Sequence, residues 1–137
     1  MQDRYLFKAK RIKDGQWVEG AFYIEPYTDC CYIIQWNSTG LGFNEFIEVD
    51  GETICQCTGL KDKNGNLICE NDIVAYWDSY STESGLAEAD CIGKVVWDDE
   101  TISFQVTNRL SAESYEVLGD ECSVIGNVFD NPELLEE

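Results

Sequence analysis

The side chains that could carry chemistry are unevenly supplied in this chain. Histidine is absent, whereas the sequence holds 27 Asp and Glu residues and seven Cys. Without histidine, the chain can form neither a Ser-His or Cys-His nucleophile pair nor a histidine metal site. Any reaction would therefore depend on carboxylates, cysteine, lysine or tyrosine.

The cysteines favour a structural role over a chemical one. They are Cys30, Cys31, Cys55, Cys57, Cys69, Cys91 and Cys122. An odd number without a visible secretory leader argues against a disulfide scaffold, and the two CxxC pairs of a zinc ribbon are missing. We therefore predict reduced, mostly buried thiols in a cytoplasmic protein. Metal binding by Cys55 and Cys57 with a distant cysteine is the alternative.

Neighbouring carboxylates lie at expected turns, which favours solvated side chains over a catalytic pair. The groups are Glu70/Asp72, Asp98/Asp99/Glu100 and Asp120/Glu121. In a chain with 27 acidic residues, such adjacency arises by chance. A calcium loop that began at Asp62 would need glycine at 67 and a carboxylate at 73, where Leu67 and Ile73 stand. We expect no metal, no cofactor and no enzymatic activity.

The net charge of −18 predicts which partners the surface attracts. Residues 1–13 carry five of the 9 basic side chains, so the rest of the chain is even more acidic than the total suggests. Such a surface repels nucleic acid and anionic lipid, and it attracts a protein with a basic surface. A purely solubilising surface is the simpler interpretation of the same charge.

The elements that must position these side chains are predominantly strands. Expected strands are Arg4–Ile12, Trp17–Ile24, Cys31–Trp36, Phe43–Val49, Thr53–Cys57, Ile73–Trp77, Gly93–Trp97, Thr101–Val106 and Val124–Phe129. Alternation places Lys8 and Lys10 on one face. Structural turns are predicted at Asn64-Gly65 and at Asn71, because these residue types tolerate positive φ.

Three segments do not fit the strand pattern. Asp78–Asp90 is predicted to be a long exposed loop with one helical turn at Leu86–Ala89, because it is polar and rich in serine. Ser111–Leu118 is predicted to be a short helix that ends at Gly119. Asn131-Pro132 is expected to open a terminal helical turn, with Asn131 as its cap.

Three blocks of this sequence resemble the YopX family, whose members are small proteins encoded by phages and prophages. The blocks are Thr58–Gly65, Glu70–Val74 and Val124–Leu135. This chain has Asn71 where the family usually has glycine. The resemblance implies a single domain over 1–137: an N-terminal β region (1–57) packed on a small SH3-type barrel (58–130), and a terminal helical turn (131–137). It implies no reaction and no catalytic residues.

Aromatic and acidic residues together suggest an interaction surface. SH3-type barrels bind peptides on aromatic patches, and the candidates here are Trp77, Trp97, Asp98, Asp99 and Glu100. Core positions for at least two of the four tryptophans are the alternative. We expect a non-catalytic protein–protein interaction module with a basic partner. The alternatives are a self-associating homo-oligomer or assembly component, a small enzyme that uses carboxylates or cysteine, and a mimic of DNA.

Overall fold

The computed structural model describes residues 6–36, 44–108, 114–116 and 122–135. Their regular structure is almost entirely antiparallel strand, which confirms the prediction of a mainly β chain. The strands are β1 (Phe7–Lys10), β2 (Trp17–Ile24), β3 (Cys31–Trp36), β4 (Asn44–Val49), β5 (Cys55–Lys61), β6 (Leu67–Cys69), β7 (Asp72–Thr82), β8 (Gly85–Asp98), β9 (Ser103–Asn108), β10 (Ser114–Glu116) and β11 (Cys122–Asn127). Short 3-10 helices form at Gly51–Thr53 and Pro132–Leu135.

The chain divides into two compact units, Met1–Gly59 and Leu60–Glu137. In the first unit, β1 to β4 form an antiparallel meander, and β1 also pairs with β5. The predicted bounds of β2 and β3 are confirmed. The core-facing side buries Ala9, Ile33 and Val49, with further apolar side chains packed around them.

The turn between β1 and β2 is held by an ion pair. Arg11 donates to both carboxylate oxygens of Asp14, and Asp14 Oδ1 also accepts the backbone N–H of Gln16 at 3.0 Å. These bonds lower the pKa of Asp14 to about 2, and the bond from Arg11 has a larger effect than the bond from Gln16. The acid at this turn is therefore ionised and engaged within its own unit.

A buried hydroxyl ties β1 to the 3-10 helix that precedes β5. Thr53, which is 6% exposed, accepts the backbone N–H of Lys10 at 2.9 Å and donates to the carbonyl oxygen of Asp50 at 2.7 Å. The predicted strand Thr53–Cys57 thus begins two residues later, at Cys55. The strand start is delayed because the Thr53 hydroxyl is used to anchor the turn.

In the second unit, the predicted turns at Asn64-Gly65 and Asn71 are confirmed. Gly65 has a φ of +86° and lies in the loop that joins β5 to β6. Asn71 has a φ of +69° and directly precedes β7. Both values lie in the left-handed region that glycine and asparagine tolerate best.

The prediction of an exposed loop over Asp78–Asp90, with a helical turn at Leu86–Ala89, is wrong. Strands β7 and β8 pair without interruption from Ile73↔Lys94 to Thr82↔Gly85, and the connection is only Glu83–Ser84. The polar composition hid this hairpin, because strand pairing satisfies the backbone whatever the side-chain polarity. Tyr80 and Thr82 are also residue types that favour strands.

The predicted helix over Ser111–Leu118 is wrong where the structure describes it. Ser114–Glu116 forms β10, which pairs with β9 from Ser114↔Thr107 to Glu116↔Gln105. The remaining residues of that prediction, together with Gly119, lie outside the described residues. Pairing with the available edge of β9 outweighs a weak helical preference.

The second sheet has the order β10-β9-β8-β7-β11. Its last strand in the chain, β11, therefore pairs with its first, β7. Its core consists of Ile68, Val74, Val95, Val106 and Cys122. Among the described strands, neither sheet closes into a barrel, and the SH3-type barrel remains a prediction. The terminal helical turn at Pro132–Leu135 is confirmed. Within the described residues, no helix has the length and apolar character to span a membrane.

Candidate interaction surfaces

The turn between β8 and β9 carries four of the five predicted surface residues. Trp97 and Asp98 end β8, and Asp99 and Glu100 form the turn that leads to β9. Asp98 Oδ1 accepts the backbone N–H of Glu100 at 2.9 Å, and the Trp97 Nε1–H group donates to Asp99 Oδ1 at 2.7 Å. The hydrogen bonds therefore fix the carboxylates of Asp98 and Asp99 beside one indole ring, and they hold Glu100 by its backbone.

The Trp97 ring joins this turn to the core while it remains open to solvent. It packs edge-on against Phe104, with ring centroids 5.1 Å apart and planes at 72°. Phe104 in turn packs against the buried core of the second unit. Because 43% of Trp97 is exposed, the residue presents an anchored aromatic surface beside the acidic turn.

Ile102 belongs to the same turn, and sequence reasoning missed it. Its φ of +52° lies in the left-handed region, which is strained for a β-branched residue. The side chain is 75% exposed, so no burial compensates for that strain. No sequence signal predicts this conformation, because glycine or asparagine is the usual residue there.

Trp77, the fifth predicted residue, does not join the turn. It lies on β7 opposite Asp90 and is 58% exposed. The position on β8 that pairs with Trp77 lies about 23 Å of strand length from Trp97, and the odd number of positions between them puts the two indoles on opposite faces. The structure therefore brings Trp97, Asp98, Asp99 and Glu100 together and leaves Trp77 elsewhere.

The carboxylate of Asp62 has a positioning role in the Asn64-Gly65 loop. Asp62 is 5% exposed, and its oxygens accept backbone N–H groups from Asn64 at 2.9 Å, Asn66 at 2.8 Å and Val124 at 2.8 Å. Burial alone would raise the pKa of Asp62, but these hydrogen bonds outweigh it and the pKa is lowered. The acid that opens the loop thus fastens it to β11.

Asp72, beside Asn71, has a similar role. It is 1% exposed and accepts the backbone N–H of Cys69 at 2.8 Å. The Glu70/Asp72 pair singled out in the sequence therefore includes one structural acid. Asn64, Gly65 and Asn71 all belong to the two loops that these buried carboxylates hold.

A cluster of three rings in the first unit was not predicted. Tyr23 on β2, Tyr32 on β3 and Phe46 on β4 lie with every pair of ring centroids 6.3 Å apart. By the strand alternation, they occupy the face of the sheet opposite Ile33 and the core. Tyr23 is 40% and Phe46 58% exposed. The cluster is visible only from the register of β2, β3 and β4, which the sequence alone does not provide.

The predicted shared face of Lys8 and Lys10 is confirmed. Both ammonium groups lie over the ring of Trp17 on β2, at 5.0 and 5.5 Å from its centroid. This arrangement assigns one of the four tryptophans to a cation–π contact. The side chain of Trp36 lies outside the described residues.

Groups suited to metal binding do not assemble in the part of the chain that the structure describes. That part contains no cluster of three or more Cys, Asp or Glu side chains placed to hold an ion. All seven cysteines lie within it, and none forms a disulfide. Cys55 Sγ instead donates to the carbonyl oxygen of Thr53 at 3.2 Å.

Comparison with known proteins gives one finding on relationship. A family model described as "YopX protein" matches residues 6–136, which is nearly the whole chain. A search of curated proteins finds no significant match. The match includes both units and all three blocks on which the resemblance was based.

Proposed function

This chain belongs to the YopX family, and we propose that it is a non-catalytic protein–protein interaction module whose partner presents a basic surface. The observation that supports this most directly is the β8–β9 turn, where the half-exposed Trp97 is bonded to Asp99 beside Asp98 and Glu100. Tryptophan is enriched among the residues that dominate binding at protein interfaces. An anchored indole among carboxylates suits a partner that offers both apolar contact and positive charge.

The charge of the second unit supports the choice of partner. Residues 60–137 contain four basic and eighteen acidic side chains, a net charge of −14. A field of one sign speeds the encounter with an oppositely charged protein and disfavours nucleic acid and anionic membranes. Ile102, exposed at the same turn, adds an apolar side chain to this surface.

Several finer features accompany the proposal. The strand order β10-β9-β8-β7-β11 places the last strand beside the first, a connectivity compatible with an SH3-type barrel within 58–130. We also propose a phage or prophage origin, as the resemblance implied, and a cytoplasmic location. A single functional domain over 1–137 completes the proposal.

The test is affinity capture of the tagged full chain from bacterial lysate, followed by identification and calorimetric titration of the captured protein. We expect a basic protein whose affinity falls as salt is added. Asp99→Asn/Glu100→Gln and, separately, Trp97→Ala should each weaken the binding at least threefold. The matched control is Glu83→Gln, which neutralises an exposed acid in the connection between β7 and β8, at the opposite end of β8 from the turn.

Three results would contradict the proposal. One is the absence of any captured protein that binds the pure chain in titration. Another is full affinity in both turn variants, which would show that the acidic turn takes no part. Tight binding of duplex DNA to the wild-type chain would also contradict it, and would direct attention to Lys8 and Lys10.

A further inference from the structure

The sheet of the first unit has an unusual solvent-facing side. An antiparallel sheet that packs one face on a core normally presents polar side chains on the other. Here the register places Ala21, Ile34 and Phe46 in one row across three strands, and Tyr23 and Tyr32 in the next row. The exposed side thus carries a continuous apolar and aromatic area.

The three rings of the cluster meet at different angles, and two of them are well exposed. The planes of Tyr23 and Tyr32 are tilted by 36°, whereas Phe46 stands at 83° to Tyr23 and 68° to Tyr32. With 58% of Phe46 exposed on an outer strand, its ring is accessible to a second molecule. An accessible aromatic face carries partial negative charge and attracts cations.

Carboxylates border the same rings. Glu48 lies directly opposite Tyr32 on β4 and is exposed. Glu25, which directly follows β2, is fixed by bonds from Thr28, whose hydroxyl donates to Oε2 at 2.7 Å. The pKa of Tyr32 is raised, chiefly by burial and then by Cys30 and Glu48, with a smaller effect of Glu25. Glu48 and Glu25 therefore place negative charge near the ring of Tyr32.

We propose that the cluster of Tyr23, Tyr32 and Phe46 is a docking site for arginine side chains of the basic partner. This inference rests on the proposed function and adds a second contact surface to it. A guanidinium can stack on a ring while it donates to a carboxylate such as Glu48, whereas an ammonium is more strongly hydrated and stacks less well.

Charge disfavours the other occupants of this face. A second copy of the chain would bring its own Glu48 and a net charge of −18 toward the first. Nucleic acid, with aromatic bases to stack, would place phosphates beside Glu25 and Glu48. Cross-strand ring contacts also stabilise a sheet by themselves, so the test must separate binding from stability.

The probes are two capped synthetic peptides, one of alternating arginine and serine and one of alternating lysine and serine. Each is titrated calorimetrically into the full chain. We expect the arginine peptide to bind at least threefold more tightly than the lysine peptide. Phe46→Leu, which keeps the site apolar but removes the ring, should weaken the arginine peptide about three- to tenfold, in line with the range of cation–π energies.

Matched controls exist in the same unit. Tyr27→Ala removes a ring that is 95% exposed but outside the cluster, and Glu45→Gln removes an exposed acid that strand alternation places on the opposite face of β4. Both should leave the affinity unchanged, whereas Glu48→Gln should reduce it about twofold. The melting temperature of Phe46→Leu is measured alongside, because a loss of affinity in a fully folded variant cannot be a stability effect.

The outcomes separate this inference from the proposed function. Equal affinity for both peptides, or an unchanged affinity in Phe46→Leu, would overturn the arginine site. If Asp99→Asn/Glu100→Gln abolished binding of the basic partner and Phe46→Leu did not affect it, the proposed function would stand, with the β8–β9 turn as its surface. Sedimentation that shows self-association in the wild type but not in Phe46→Leu would assign the face to a second copy and also overturn the inference.

Discussion

In the second unit, Leu60–Glu137, the carboxylate of Asp62 holds a loop against β11. In the first unit, Met1–Gly59, the hydroxyl of Thr53 holds β1 in a comparable way. Both groups are buried and both accept backbone N–H groups. The carboxylate makes more bonds and can lose its charge, and the hydroxyl cannot. The buried anchor of the second unit therefore depends on ionisation, whereas the buried anchor of the first unit does not.

The two units also differ in charge, and the second unit is the more acidic. Residues 1–59 contain five basic and nine acidic side chains, and Arg11 and Thr28 bind two of those acids locally. Residues 60–137 contain four basic and eighteen acidic side chains. The first unit therefore presents a ring cluster in a mildly negative field, and the second presents a strongly negative surface on which Trp77 and Trp97 are exposed.

The largest expected effect comes from removing the two buried anchors. Asp62→Ala leaves three backbone N–H groups without their acceptor and should lower the free energy of unfolding by about 3 kcal/mol. Thr53→Val leaves one N–H group without its acceptor and should cost about 1–2 kcal/mol. Urea denaturation of both variants measures the difference, and an equal loss would abolish the distinction between the anchors.

The stability of the two sites should also differ in its dependence on pH. The folded-state pKa of Asp62 is lowered, so its contribution is fully present above its unfolded pKa of about 4 and is lost as the pH falls through the folded value. The stability difference between the wild type and Asp62→Asn should therefore shrink in acid. For Thr53→Val it should stay constant, because the hydroxyl does not titrate.

Added salt should also affect the two units differently, by a smaller change in stability than the anchor variants. Raising monovalent salt from about 20 to about 300 mM screens repulsion among exposed acids and should stabilise the chain by up to about 1 kcal/mol. Neutralising Glu83 and Glu133 to glutamine should reduce this gain more than neutralising Glu45 and Glu52. Thermal melts at both salt concentrations test this, and a melting temperature lowered by salt would show that most acids are paired.

The smallest effect concerns the thiols. Cys30, Cys31 and Cys91 are half-buried, whereas Cys55, Cys57, Cys69 and Cys122 are buried. In the native state, a thiol reagent should react first with the half-buried group, which includes two cysteines of the first unit and one of the second. Titration in denaturant without reductant should then find nearly all seven. Recovery of one or none would contradict the predicted reducing compartment.

The sequence was sufficient where side-chain pattern and backbone preference agree. Strand alternation located β2 and β3 to the residue, and Asn64-Gly65 and Asn71 marked turns because their residue types suit positive φ. The β8–β9 turn was also found, because acids such as Asp98 and Asp99 favour turns. These features are local, so neighbouring residues determine them.

Features set by distant residues could not be predicted in this way. Asp78–Asp90 looked like a loop because polar side chains conceal the backbone ladder of β7 and β8. Ser114–Glu116 is a strand because β9 offers it an edge. The ring cluster depends on the relative register of β2, β3 and β4, and the burial of Asp62 depends on β11, which lies far along the chain.

The uninterrupted β7–β8 ladder also bears on the order of folding. Its two strands are joined by Glu83–Ser84 alone, so the hairpin closes a very short loop, and isolated hairpins form within about 1–10 μs. By contrast, β11 pairs with β7 only after the chain from Tyr76 to Cys122 has closed, which costs more entropy. Mutations at the β7–β8 pairing should therefore slow folding, whereas mutations in β11 or at Asp62 should mainly speed unfolding.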